Sequence, residues 1–314
     1  MARHSRLPRC LLFRIEFIDK VAKRGNILFR LGKLSVLLVI ALAPVTGRSS
    51  AVSSSDNLKL DEVIAKHLIS IGSEKARAAV KTRIISGSSQ VVFHTVPVGQ
   101  AAGRAVFASQ GNKTLLGMSF PSPVYPGEHL GFDGNGFMAA FVVPGTRSAL
   151  GSFLMTHSLV FKQGLMGGTL SSAWPLLDLP SRKPDLEYAG VKTIENHLLH
   201  EVKYSPRGGS DLQIKVFFDQ ESFQHVRTEY DRTIPAPTGD RSYVAGAETE
   251  IRYKMIEEFS DFRTEGELTL PHTYKIRLAT DTKNGSFSAD WTIRLTQFDF
   301  NQPIDPTSFT IAAN

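Results

Sequence analysis

The chain has 314 residues, 42% of them hydrophobic, with 36 Lys and Arg against 30 Asp and Glu and one cysteine. The excess of +6 reads as a basic protein, but it sits almost wholly at one end. Residues 1–51 carry ten Lys/Arg and only Glu16 and Asp19, so without them the net charge becomes −2, which removes the argument for nucleic acid.

Those 51 residues read as a secretory signal segment. Leu34 to Val45 is a run of twelve residues, apolar but for Ser35 and without a charge. A comfortable membrane span needs about 20 residues, whereas a run of this length suits the apolar part of a signal peptide. Ser49-Ser50-Ala51 places small residues for a cut after Ala51, the alternative being an uncleaved N-terminal anchor. Cys10 lies in this segment, so the remainder has no disulfide, no thiol nucleophile, no cysteine metal site and no lipoprotein cysteine at the cut. The expectation is a periplasmic, unanchored chain whose residues 52–314 form one large domain.

Leu58 to Gly87 opens that domain. Leu60, Val63, Ile64, Leu68 and Ile71 recur at steps of three and four, which gives a helix one oily stripe. Asp56 is placed to cap it, Asp61 and Glu62 suit its positive end, and Gly72 suits a left-handed stop. Ser73 then caps a second short helix, Glu74 to Lys81, which runs into a strand at Thr82 to Ser86. Such a stripe needs a partner, and the concave face of a curved sheet offers one.

Strands are expected at Gln90–Thr95, Gly103–Ser109, Lys113–Phe120, Glu128–Asp133 and Phe137–Val143, with Gly111-Asn112 and Asp133-Gly134-Asn135-Gly136 as turns. These strands are apolar on both faces, so both faces must be covered, by protein or on one side by a ligand. A second run from Asp185 alternates more cleanly. Leu212, Ile214, Val216 and Phe218 share one face, as do Ile251, Tyr253 and Met255, then Tyr274, Ile276 and Leu278, then Trp291, Ile293 and Leu295. A change of phase before Phe298 and Phe300 predicts a bulge near Thr296-Gln297, Asn284-Gly285 reads as a turn, and 233–246 as a loop insertion.

Thr146 to Leu179 separates the two runs. Its pattern is helical over Ala149–Leu159 and Leu170–Leu177 and is broken by Gly164 and Gly167-Gly168. Short oily helices joined by glycines suit a movable lid over an apolar concavity, and equally a fixed plug.

The layout resembles the bacterial outer-membrane lipoprotein-sorting (LolA/LolB-like) superfamily. The residues that carry the resemblance are LDEVIAKHLISIG…ARAAVKT, GFDGNGFMAAFVVPGTRSAL, LPHTYKIRL and IDPTSFTI. It implies a mainly β (α+β) fold: an unclosed antiparallel half-barrel with an N-terminal amphipathic helix and short lid helices on the concave face. It also implies a lipid or a lipoprotein acyl chain held there, envelope proteins as partners, transient membrane contact and a monomer. A basic residue tethers the lid in those carriers, and no residue of this sequence is assigned to that role.

The expected lining is Phe107, Leu116, Met118, Phe120, Phe132, Phe137 and Phe141 from the sheet, with Phe153, Leu154, Met155, Phe161, Leu165, Met166 and Trp174 from the lid. Catalytic, cofactor and metal motifs are missing: there is no GxSxG elbow, HExxH, GxGxxG or Walker loop. His197 and His200 lie three apart on a strand and so face opposite ways, which rules out a shared metal. His225 and His272 read as ordinary sheet histidines, Asp231 and Asp240 lack an evident partner, and Glu257-Glu258 reads as a solvated strand end. The leading expectation is a carrier or binding protein for a lipid or other apolar molecule. The alternatives are an envelope interaction protein with a self-filled core, and an enzyme without a recognisable motif.

Overall fold

The computed structural model describes residues 59–95, 99–235, 250–282 and 285–312. The leader with Cys10, the cap Asp56, Asn284 and most of the 233–246 loop with Asp240 lie outside the described residues.

Helix α1 spans Leu60–Ile71 and α2 spans Glu74–Ala79, two residues shorter than expected. Val63, Ile64 and Ile71 of the stripe are buried, and His67 is buried with them. Gly72 ends α1, but at φ 148° and ψ 173° rather than in the left-handed helical well. The Glu267 carbonyl lies 2.7 Å from where a Cβ would stand, so only glycine lets the chain pass there. Ser73 caps α2 by accepting from the Ala76 N–H at 3.1 Å.

Twelve antiparallel strands follow: β1 (Thr82–Phe93), β2 (Gly99–Gln110), β3 (Lys113–Ser119), β4 (Gly127–Phe132), β5 (Phe137–Ala139), β6 (Asp185–Ile194), β7 (His197–Ser205), β8 (Gln213–Asp219), β9 (His225–Ile234), β10 (Ile251–Glu265), β11 (Leu268–Thr282) and β12 (Gly285–Phe300). They form one sheet in the order β5-β4-β3-β2-β1-β12-β11-β10-β9-β8-β7-β6, not closed into a barrel, an unclosed half-barrel with few helices. The segments expected at Thr82–Ser86 and Gln90–Thr95 are one continuous strand, and β5 stops well short of Val143. Strand β9 runs on to Ile234, past the expected start of the loop at 233.

The bulge expected near Thr296 is there. Ser86 pairs with Gln297 and Gly87 with Leu295, so Thr296 is the extra residue. A Cβ on Gly87 would fall 1.9 Å from the Arg294 carbonyl, which makes glycine a requirement of the bulge.

Both faces are covered by protein over the end of β2 and over β3–β5. Phe107, Leu116, Leu130 and Phe132 point into the main core, while Ala108 and Leu115 pack on the other side against Phe309 and Ile311 of the C-terminal segment. That segment turns at Pro306–Phe309 and passes so close to Gly131 that a Cβ there would meet the Phe309 carbonyl at 2.6 Å.

Strands β5 and β6 are consecutive in the chain yet form opposite edges of the sheet. The chain between them must therefore cross a face, and it crosses the concave one. This insert contains α3 (Ala149–Thr156), α4 (Leu159–Lys162), 3-10 turns at Gly168–Leu170 and Pro175–Leu177, and α5 (Leu179–Arg182). The helix expected over Leu170–Leu177 is not formed; Ser171 is extended and Pro175 opens only a single turn.

Candidate functional site

The concave face carries most of the expected lining residues. Phe107, Leu116, Met118, Phe120, Phe132 and Phe137 from the sheet are buried in one core with Phe153, Leu154, Phe161, Leu165, Met166 and Trp174 from the insert. The Phe137 and Phe161 rings lie 4.5 Å apart. Met155 is half-buried at the margin, where its sulfur accepts from the Ala139 N–H at 3.4 Å. Phe141 is not brought into the core: β5 ends before it, and its ring lies under the Arg147 guanidinium at 4.4 Å.

The insert meets the sheet through its own backbone. Gly164, Gly167 and Gly168 have φ of 72°, 79° and 50°. A Cβ on Gly167 would stand 2.4 Å from the Phe107 ring, and one on Gly168 would stand 2.5 Å from His225 Nδ1. Glycine is needed here both for positive φ and for close approach.

Polar groups that the sequence reading passed over hold this segment. Glu257, expected to be a solvated strand end, lies in mid-strand and is fully buried. Its carboxylate accepts from the Tyr230 hydroxyl at 2.6 Å, the Tyr274 hydroxyl at 2.5 Å and the Gly167 N–H at 2.8 Å. Burial raises its pKa, and the three donors pull against that rise. Its neighbour Glu258 faces the other way and accepts from Arg227 at 2.6 Å. Asp231 also has a partner, Lys254 at 3.6 Å.

Arg83 of β1 is 1% exposed, and its Nη1 donates to the Thr169 carbonyl at 2.6 Å. Its Nε has no partner among the described residues, and burial lowers its pKa to about 10. The signal was present in the sequence: Arg83, Ile85, Ser89 and Val91 share the buried phase of β1. A charged residue in that phase must point into the concavity.

A third anchor links helix, insert and sheet. His67 Nε2 accepts from Trp174 Nε1–H at 3.0 Å, while Nδ1 donates to the Phe223 carbonyl at 3.0 Å. These partners define the neutral tautomer with its proton on Nδ1, and burial lowers the pKa to about 4. His225 stacks on Trp174 at 4.4 Å and shares a 2.7 Å hydrogen bond with Thr228 through Nε2. Burial holds it neutral as well. His272 contacts Glu265 at 3.1 Å, and His197 is exposed while His200 is buried, so that pair faces opposite ways. Among the described residues no group of three or more His, Cys, Asp or Glu is arranged to hold a metal, and no helix is long and apolar enough to cross a membrane.

No protein-family model matches the chain, and no curated protein matches it. Solved structures similar to it include a LolA superfamily protein from Nitrosomonas europaea, at 11% identity, covering 81% of this chain and 98% of that one with a TM-score of 0.41. Another is an outer membrane lipoprotein-sorting protein domain from Vibrio parahaemolyticus, at 10% identity, 79% and 95% coverage and a TM-score of 0.39. A DUF1329 family protein from Desulfovibrio piger matches at 8% identity, 80% and 96% coverage and a TM-score of 0.39. Two of these three, those from Nitrosomonas europaea and Vibrio parahaemolyticus, carry names of the group that the sequence layout resembles. The likeness is one of overall layout, at identities too low to carry residues across.

Proposed function

We propose that this protein is a non-catalytic carrier or binding protein of the bacterial envelope, working in the periplasm, that holds a lipid or lipoprotein acyl chain in its concave face. The observation that carries the reading is the insert itself. It covers the concave face without joining the sheet, and its glycines sit where it touches Phe107 and His225.

Magnitudes limit how it opens. The insert buries Leu150, Phe153, Leu154, Val160, Phe161, Leu165, Met166, Leu170, Trp174 and Leu176. At about 1.5–3 kcal/mol each, expelling all of them into water costs roughly 15–30 kcal/mol. An acyl chain of about sixteen methylenes gains only about 13 kcal/mol on burial. Lifting only the part after the Gly164 turn exposes Leu165, Met166, Leu170, Trp174 and Leu176 and costs roughly 7.5–15 kcal/mol, a range within which the gain from one chain falls. The working motion is therefore a partial one, about Gly164 and Gly167-Gly168, with α3 and α4 left in place. Arg83 and Glu257 are the catches that register the closed position.

The second reading is an envelope interaction protein whose core is filled by its own side chains. It is favoured by the near-complete burial of the lining in this closed state. Native mass spectrometry with lipid extraction on gently purified protein separates the two. The carrier reading expects a stoichiometric lipid or uptake of the apolar probe diphenylhexatriene. A clean apo mass with no probe uptake rejects it in favour of the second.

A further inference from the structure

Three inward-facing polar residues stand side by side on adjacent strands. Arg83 of β1 pairs in register with Ser109 of β2, and Ser109 with Thr114 of β3. All three are buried, at 1%, 0% and 1% exposure, beside the apolar Ile85, Phe107, Leu116 and Phe132. Each is engaged by a short stretch of the insert. Arg83 donates to the Thr169 carbonyl at 2.6 Å, Ser109 Oγ accepts from the Ser172 N–H at 2.9 Å, and Thr114 Oγ1 lies 3.4 Å from Ser171 Oγ.

These partners are poor compensation for a cation. A neutral carbonyl is the only group bonded to the guanidinium among the described contacts, Nε is unpaired, and burial disfavours the charge. Burying a charge is costly unless it is paired. Opening at Gly164 and Gly167-Gly168 removes residues 169–172 together. Glu257 would then keep two of its three donors, Tyr230 and Tyr274. Arg83 would keep none of its named partners, and the Ser109 and Thr114 hydroxyls beside it would be free to donate. What the opened face lacks at this place is an anion.

We propose that Arg83, Ser109 and Thr114 form a subsite for the acidic head group of an acyl-chain ligand, occupied by residues 169–172 in the closed state. This deepens the carrier reading and rests on it. The chain of the ligand would lie along Phe107, Leu116, Leu130 and Phe132 of β2–β4, and its carboxylate or phosphate would meet the guanidinium, the planar donor best suited to either.

The test is displacement of diphenylhexatriene from the full chain by oleate and by methyl oleate, which share a chain and differ in head-group charge. A charge-assisted hydrogen bond contributes about 1.5–3 kcal/mol, so oleate should compete about tenfold or more better than the ester. Arg83→Met should bring oleate to the level of the ester and leave the ester unchanged, while Ser109→Ala should lower oleate alone by a smaller factor. Acetate at matched concentration should displace nothing. Equal competition by oleate and ester in the wild type overturns the head-group subsite and leaves the carrier reading standing. Failure of the probe to enter at all overturns both. The wild-type comparison stands even if Arg83→Met does not fold.

Discussion

Glu257 and His67 sit in the same apolar interior and respond to pH in opposite directions. Glu257 has a folded pKa above its unfolded value, so its contribution is fully present below about 4.5 and is lost as pH rises through the folded value. His67 is depressed from 6.5 to about 4, so its contribution is present above 6.5 and is lost as pH falls toward 4. That shift corresponds to about 3 kcal/mol, and His225 adds to it in the same direction. Urea melts should therefore show stability falling between pH 6.5 and 4, with a shallower fall in His67→Phe; identical slopes would rule out His67 as a source. For Glu257 the loss of the acceptor is the larger effect. Glu257→Leu strands two tyrosine hydroxyls and the Gly167 N–H and should cost about 3 kcal/mol or more, whereas Glu257→Gln keeps an acceptor and should cost about half that. Equal costs in denaturant melts would contradict the bonding described.

Single elements show which parts of the fold were legible. The alternation of β8, β11 and β12 was readable because each has one buried face, and the phase slip at Thr296 was readable for the same reason. The length of β1 was not, because Gly87 and its flanking serines look like a break and in fact run on unbroken opposite the bulge of β12. Arg83 was missed because a lone arginine near a strand start resembles an edge charge; only its phase with Ile85 and Val91 shows where it points. Glu257 was missed because the alternation was followed only to Met255, although β10 continues to Glu265. The first strands, read as covered on both faces by protein or on one side by a ligand, have a second protein cover only from the end of β2 to β5, and it is a C-terminal segment whose docking no local pattern announces. Its Phe309 is 1% exposed against Leu115 and Ala108. Phe309→Ala should cost about 3 kcal/mol in urea melts, and a loss under 1 kcal/mol would mean that the segment is not a working part of the core.

At the scale of the whole molecule, the sheet order separates two kinds of stability. Strands β1 and β12 join the two meanders by a long ladder with a single bulge, so the sheet opens only with the protein. The insert links the two outer edges but is attached to the sheet by side chains and scattered single bonds, at Arg83, Glu257 and Ser109, and to α1 at His67. A segment held in this way can open below the global unfolding free energy, and the part beyond Gly164 should do so first. Hydrogen exchange resolved by segment should show amides of 165–177 exchanging well ahead of β1 and β12, with α3 in between. Gly167→Ala should speed that exchange further, because its Cβ strikes the Phe107 ring at a backbone angle that alanine resists. A bound acyl ligand should change protection in 165–177 more than anywhere in the sheet. Exchange of 165–177 only at the global rate, unaltered by Gly167→Ala, would instead make the insert a permanent part of the core, and the chain would then be the self-filled envelope protein.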